Sequence, residues 1–158
     1  MRCFRLLPLV LLAATLLLPL SAHAQTAGNF GLGVIVGSPT GITGKHHFRG
    51  RPLFVDWAAG LPIVEHRRGL HAHATFLWQP TLVNLDRAVM DLYFGIGPKV
   101  FVHPRQDDLW LGARAPLGLD FNFKSVPIEV FIELSATLYL VGGQDFGFDG
   151  AAGFRWWF

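Results

Sequence analysis

The stretch IEVFIELSATLYL, residues 128–140, alternates without a break. Ile128, Val130, Ile132, Leu134, Ala136, Leu138 and Leu140 share one parity; Glu129, Phe131, Glu133, Ser135, Thr137 and Tyr139 share the other. Residues two apart lie on one face of an extended strand, whereas a helix repeats every 3.6 residues. The stretch therefore reads as a long β-strand with one wholly apolar face and one face carrying two carboxylates. What that apolar face touches decides the fold.

The same period recurs along the chain. In LGARAPLGLDFNF (111–123), Leu111, Ala113, Ala115, Leu117, Leu119, Phe121 and Phe123 oppose Gly112, Arg114, Pro116, Gly118, Asp120 and Asn122. In LHAHATFLW (70–78), Leu70, Ala72, Ala74, Phe76 and Trp78 oppose His71, His73, Thr75 and Leu77. Eight strands are predicted, near 29–37, 41–48, 52–61, 70–79, 90–102, 108–123, 127–141 and 146–158. Ser38-Pro39-Thr40-Gly41, Arg49-Gly50-Arg51, Lys124-Ser125-Val126 and Gly142-Gly143-Gln144-Asp145 supply short turns. Residues 80–89 are expected to form one longer link.

The first residues carry a different signal. Met1-Arg2-Cys3-Phe4-Arg5 is basic, Leu6 to Leu20 is apolar, and Ser21-Ala22-His23-Ala24 places small residues where a signal peptidase reads. Residues 1–24 are expected to be a cleaved secretory signal peptide, and 25–158 a single barrel domain. The one cysteine, Cys3, would leave with the signal, so no disulfide is expected. Removing Arg2 and Arg5 takes the 13 Lys and Arg residues to 11, against 11 Asp and Glu. A balance that close to neutral gives no footprint for nucleic acid.

Alternation alone does not say which face is wet. Three features place the apolar face outward, against lipid. Seven or so uninterrupted apolar side chains per strand would overfill an eight-stranded barrel, whose interior holds only a modest set of side chains. Small Gly31, Gly33, Gly95, Gly97, Gly112, Gly118 and Gly153 beside long charged residues suit a narrow polar lumen. The large aromatics Phe30, Phe48, Trp78, Phe121, Phe123, Trp156 and Phe158 fall at one end of the apolar face, as rings at headgroup level would. The expected fold is all-β: a single closed, antiparallel, eight-stranded transmembrane barrel with short loops.

The last residues, GFRWWF (153–158), alternate up to Phe158, with Trp156, Phe154 and Ala152 on its face. In this the sequence resembles the small eight-stranded bacterial outer-membrane barrels of the OmpA/OmpX-like group. Their last strand commonly ends in Phe and is read by the barrel-insertion machinery. The resemblance implies a bacterial outer-membrane location, contact with outer-membrane lipid and lipopolysaccharide, and insertion through Phe158. It implies a monomer with a structural or envelope-interaction role. The short loops depart from that group, whose outer loops are often long, so an adhesive role does not carry over. Both termini would be periplasmic, with 38–41, 62–69, 103–107 and 142–145 outside.

The lumen face is expected to collect Lys45, Asp56, Lys99, Arg114, Asp120, Glu129, Glu133, Asp149 and Arg155, together with His71 and His73. Four cations and five carboxylates make a nearly balanced ionic core. Counting across turns puts Lys45 opposite Asp56, His73 beside Ala58 and His71 beside Gly60. It puts Arg155 opposite Phe131, diagonal to Glu129 and Glu133.

The sequence assigns no catalytic, cofactor-binding or metal residue. A lipid A-modifying enzyme of the deacylase kind remains an alternative, but its His-x-Ser pairing is absent, and Ser38, Ser125 and Ser135 have no histidine near them in sequence. A secreted soluble barrel carrying an apolar ligand is a second alternative. Arg67-Arg68 would suit lipopolysaccharide phosphates if their loop is extracellular, and His46-His47 read as interface side chains. GSPTGITGKH (37–46) imitates a phosphate loop but has Pro39 where glycine is required and His46 where Ser or Thr is required.

Overall fold

The computed structural model describes residues 28–48, 52–61, 69–103, 108–142 and 146–158. The signal segment, the Arg67-Arg68 pair and most of the outer loops expected above lie outside the described residues. Among the described residues, nine strands form one antiparallel sheet: β1 Phe30–Gly37, β2 Thr40–His47, β3 Leu53–Leu61, β4 Leu70–Trp78, β5 Thr81–Asn84, β6 Ala88–His103, β7 Asp108–Phe123, β8 Ile128–Val141 and β9 Phe146–Trp157. β1, β2 and β3 each pair with the next strand, β4 pairs with β6, β6 to β9 continue the meander, and β9 returns to β1. Eight strands thus close a barrel.

The ninth strand corrects one expectation. Residues 80–89 are not a plain link, because Thr81–Asn84 form β5 on the early part of β6. β5 prolongs the line of β4 past Pro80, so β4, β5 and β6 make one hairpin that ends in the bond from Leu85 N–H to the Ala88 carbonyl. Lys124 in the neighbouring turn donates to Asn84 Oδ1 and to the Leu85 carbonyl, both at 2.6 Å, and so ties the two hairpin ends together.

Register follows largely from the alternation. Lys45 faces Asp56, Ala58 faces His73 and Gly60 faces His71, as counted from the sequence. The β8–β9 register differs by two residues: Leu138, not Leu140, faces Phe146, and Arg155 faces Glu129 instead of Phe131. A slip of two preserves the face of every side chain. Walking across neighbours from Trp156 through Leu32, Gly44, Trp57, Ala74, Pro98, Ala113 and Leu138 returns to β9 at Phe146, a stagger of ten residues. Closure with such a stagger tilts the strands and leaves an interior just wide enough for side chains.

Inside and outside are reversed relative to an ordinary soluble domain. Every Asp, Glu, Lys or Arg side chain described within the strands is buried: Lys45, Asp56, Asp91, Lys99, Arg114, Asp120, Glu129, Glu133, Asp149 and Arg155. The exposed face carries Val34, Ile42, Phe76, Ile96, Leu117, Ile132, Leu134 and Phe148 around the whole circumference, with Leu134 at 71% and Phe148 at 77% exposure. A small apolar cluster of Ile35, Ala58, Leu77, Tyr93 and Phe131 also lies inside among the described residues. Gly118 makes room for it: a Cβ there would run into the Tyr93 ring and hydroxyl.

Candidate functional site

The lumen is the one place where chemistry-bearing side chains gather among the described residues. Parity explains how. Each strand delivers every second residue inward, and the tilt stacks these residues into contact across the barrel.

The contacts form three groups. In the largest, Lys45 Nζ reaches Asp120 Oδ2 at 2.8 Å and Glu129 Oε2 at 3.2 Å. Arg155 Nη1 meets Glu129 Oε1 at 2.6 Å, and its Nη2 lies 3.5 Å from Asp56 Oδ2. Arg155 also donates to Thr43 Oγ1 from Nε and Nη2, while its guanidinium lies 4.0 Å from the centre of the Phe131 ring. Lys45 sits 4.9 Å from the Phe54 ring centre and 5.3 Å from that of Tyr93. The aromatic faces thus cover the cations on the sides that carboxylates leave free.

Two simpler pairs make up the rest. Arg114 pairs with Glu133 and donates to Thr75 Oγ1 at 3.2 Å. Lys99 pairs with Asp149 at 2.5 Å and lies 5.3 Å from the Tyr139 ring centre. Lys45 faces Asp56 in register, yet its ammonium reaches across the barrel to Asp120 and Glu129 instead. A strand-by-strand count does not anticipate that choice, because the lumen is narrow enough for side chains to skip their nearest neighbour.

His71 and His73 are both buried, with His73 Nδ1 3.4 Å from His71 Nε2. Their strand neighbours are Gly60 and Ala58 on one side, Phe101 and Lys99 on the other. Among the described residues, no three His, Cys, Asp or Glu side chains converge as metal ligands. His46 packs edge-on against Phe48 and His47 stacks on Phe54 with ring centres 4.4 Å apart.

The aromatics singled out in the sequence lie at one set of strand ends. Phe30, Phe48, Trp78, Phe123, Trp156 and Phe158 are exposed, whereas Phe121 is half-buried. Phe146 and Phe148 add an exposed T-shaped pair at the opposite end, so the large rings are not confined to one rim.

The expected lumen network left out Asp91, Gln79 and Asn122, although Asn122 was placed on the polar face of its strand. Asp91 faces Asp120 directly across β6 and β7. Gln79 Nε2 donates to Asp91 Oδ2 at 3.1 Å and to Asp120 Oδ1 at 3.3 Å. Asn122 Nδ2 donates to the same two oxygens at 3.1 and 2.9 Å. The signal was present: Asp91 shares the parity of Tyr93 and Lys99, and Gln79 that of His71 and His73. The lumen therefore holds six carboxylates against four cations among the described side chains, where five had been expected.

Comparison with known protein families, with curated proteins and with solved structures returns no match for this chain. The functional reading therefore rests on the residues and their geometry.

Proposed function

We propose that the chain is an integral outer-membrane barrel, akin to the small eight-stranded bacterial barrels, with a structural or envelope-interaction role. The observation that carries this reading is the reversal of faces: a continuous exposed apolar belt around a buried ionic core. Monomeric soluble proteins rarely expose apolar patches beyond a few hundred Å². A lipid environment turns the same belt from a liability into the stabilising surface, and only a helix or a closed sheet satisfies its backbone there. The basic-then-apolar pattern of residues 2–20, the Ser21–Ala24 cleavage pattern and the alternating Phe154, Trp156 and Phe158 support export and insertion by the same route.

The filled lumen speaks for structure over transport. Barrels with aqueous channels have roughly 16 or more strands. Ion pairs and rings line the described interior, which suits a polar lumen better than the apolar cavity of a soluble carrier. Contact with lipid and lipopolysaccharide is the direct consequence of the belt.

Fractionation tests the reading. The chain should sediment with outer membranes, require detergent for extraction and migrate differently on a gel before and after boiling. Recovery from the periplasm without detergent would overturn it. Lipid A from a deletion strain should keep its acyl pattern; a changed pattern would favour the enzyme alternative.

A further inference from the structure

We propose that β6 between Gly95 and Pro98 is a lateral seam, the place where the closed sheet opens locally and admits water to the lumen. The inference rests on strand pairing among the described residues and stands whether or not the apolar belt meets lipid.

Two gaps in the ladder mark it. The β4–β6 pairing stops at His73 opposite Lys99 and resumes at Phe76 opposite Ile96. The β6–β7 pairing stops at Phe94 opposite Leu117 and resumes at Gly97 opposite Arg114. Neither gap shifts the register, so no residue is inserted and only bonds are missing. Each gap contains a proline, Pro98 in the first and Pro116 in the second. A proline has no N–H, so it removes a ladder bond and is ordinarily confined to edge strands, strand starts or bulges. A closed barrel has no such edge, and these are the only prolines inside the described strands. Pro98 offers no donor to the Ala74 carbonyl opposite it, and Pro116 none to the Gly95 carbonyl. The segment from Gly95 to Pro98 thus loses a bond on each side of one strand, midway along its 16 residues. By contrast, β8 and β9 pair without a break from Ile128 opposite Trp156 to Leu138 opposite Phe146.

The wall is also thin there. Gly95 and Gly97 share the inward parity of Tyr93 and Lys99 but put no side chain into the lumen. A Cβ at Gly97 would strike the Ala74 carbonyl oxygen, and one at Gly95 the Phe76 carbonyl oxygen. No larger residue can therefore back the seam without moving β4. Behind it, Arg114 faces Gly97 across β6 and β7, and Ser135 faces Pro116 across β7 and β8. Both side chains are buried, and Arg114 Nε and Ser135 Oγ have no hydrogen-bond partner among the described residues. An opening at β6 uncovers these two atoms together with the two unpaired carbonyls. Water suits such a mixed set, because it both donates and accepts.

Amide hydrogen exchange of the folded chain in detergent micelles, read residue by residue, tests the seam. Ile132 and Leu134 of β8 keep partners on both sides and serve as the reference. The Ile96 and Gly97 amides should exchange about tenfold faster than these, the weight of two missing bonds of ordinary net strength in a local opening equilibrium. Equal protection at the two places would overturn the seam. Pro98→Val with Pro116→Ala restores both donors and should slow Ile96 and Gly97 to the β8 rate. Exchange that stays fast would overturn it too, since the missing bonds would not be the cause. A reversible staple keeps the test independent of those replacements. Ile96 and Ala115 lie opposite each other on the outer face, within the second gap. Ile96→Cys with Ala115→Cys puts two thiols at a separation that a disulfide can span. Oxidation should slow the Ile96 and Gly97 regions, and reduction should return them to the rate of the unaltered chain. Exchange indifferent to the disulfide would contradict a lateral opening between β6 and β7.

Discussion

Removing Glu133 is the sharpest perturbation of the lumen, because Arg114 pairs with no other carboxylate among the described residues. The Arg114 and Glu133 side chains are 1% and 3% exposed, and Arg114 Nε already lacks an acceptor. In Glu133→Ala the guanidinium keeps only Thr75 Oγ1, at 3.2 Å. Breaking one side of a buried pair typically costs ~3–5 kcal/mol, most of it the penalty of the stranded charge. His73→Ala removes a comparable volume nearby but strands no charge. It loses a 3.4 Å contact with His71, and a lost neutral hydrogen bond costs about 1 kcal/mol. A double variant, Arg114→Met with Glu133→Leu, removes both charges and should recover most of the loss, since apolar replacement of a whole buried pair is often neutral. Urea unfolding of the refolded chain in lipid vesicles, followed by tryptophan fluorescence, measures all three; the sequence carries five tryptophans. The reasoning fails if Glu133→Ala is no more destabilising than His73→Ala, or if the double variant is worse than Glu133→Ala alone.

Three further outcomes follow from the same geometry. Leu134→Arg, at an outward position that is 71% exposed midway along β8, should cost ~2–4 kcal/mol in a bilayer, the depth-dependent cost of a cation at the midplane; unchanged vesicle stability would mean that the faces are inverted. Gly118→Val should destabilise by ~1–3 kcal/mol through overpacking against Tyr93, read by the same urea titration, and Tyr93→Phe should not relieve it because the ring itself is in the way. A cysteine replacing Ser125 should resist an impermeant thiol reagent on intact cells, whereas one replacing Val141, at the opposite strand end, should react.

Much of this architecture is legible in the sequence because a closed sheet converts parity into location. Once β8 reads as Ile128-Val130-Ile132 against Glu129-Phe131-Glu133, the inward set of every strand follows, and nine of the ten buried charges fall out of that rule. Asp91 was left out although it lies inside the predicted strand 90–102 and Met90 and Leu92 flank it with the apolar parity of an outward face. Register is less legible. Faces repeat every two residues, so parity accepts any even slip, and turn geometry must choose among them. Around Gly142, which holds φ at 120°, that choice leaves Leu138 and not Leu140 opposite Phe146. Pairing across the lumen is least legible of all: Lys45 passes over its register partner Asp56 for Asp120 and Glu129, a choice made by side-chain reach and the shared charge of the cluster.

The most direct test of the central claim is a nitroxide scan along β8 from Ile132 to Leu138, with the chain refolded into lipid vesicles. Oxygen concentrates in the acyl layer, and a polar nickel chelate stays in water. The account expects labels at Ile132, Leu134, Ala136 and Leu138 to collide readily with oxygen and scarcely with the chelate. Labels at Glu133, Ser135 and Thr137 should be shielded from both. An inverted alternation, or free access of the chelate to Leu134 and Leu138, would contradict a lipid-facing apolar belt around an ionic core.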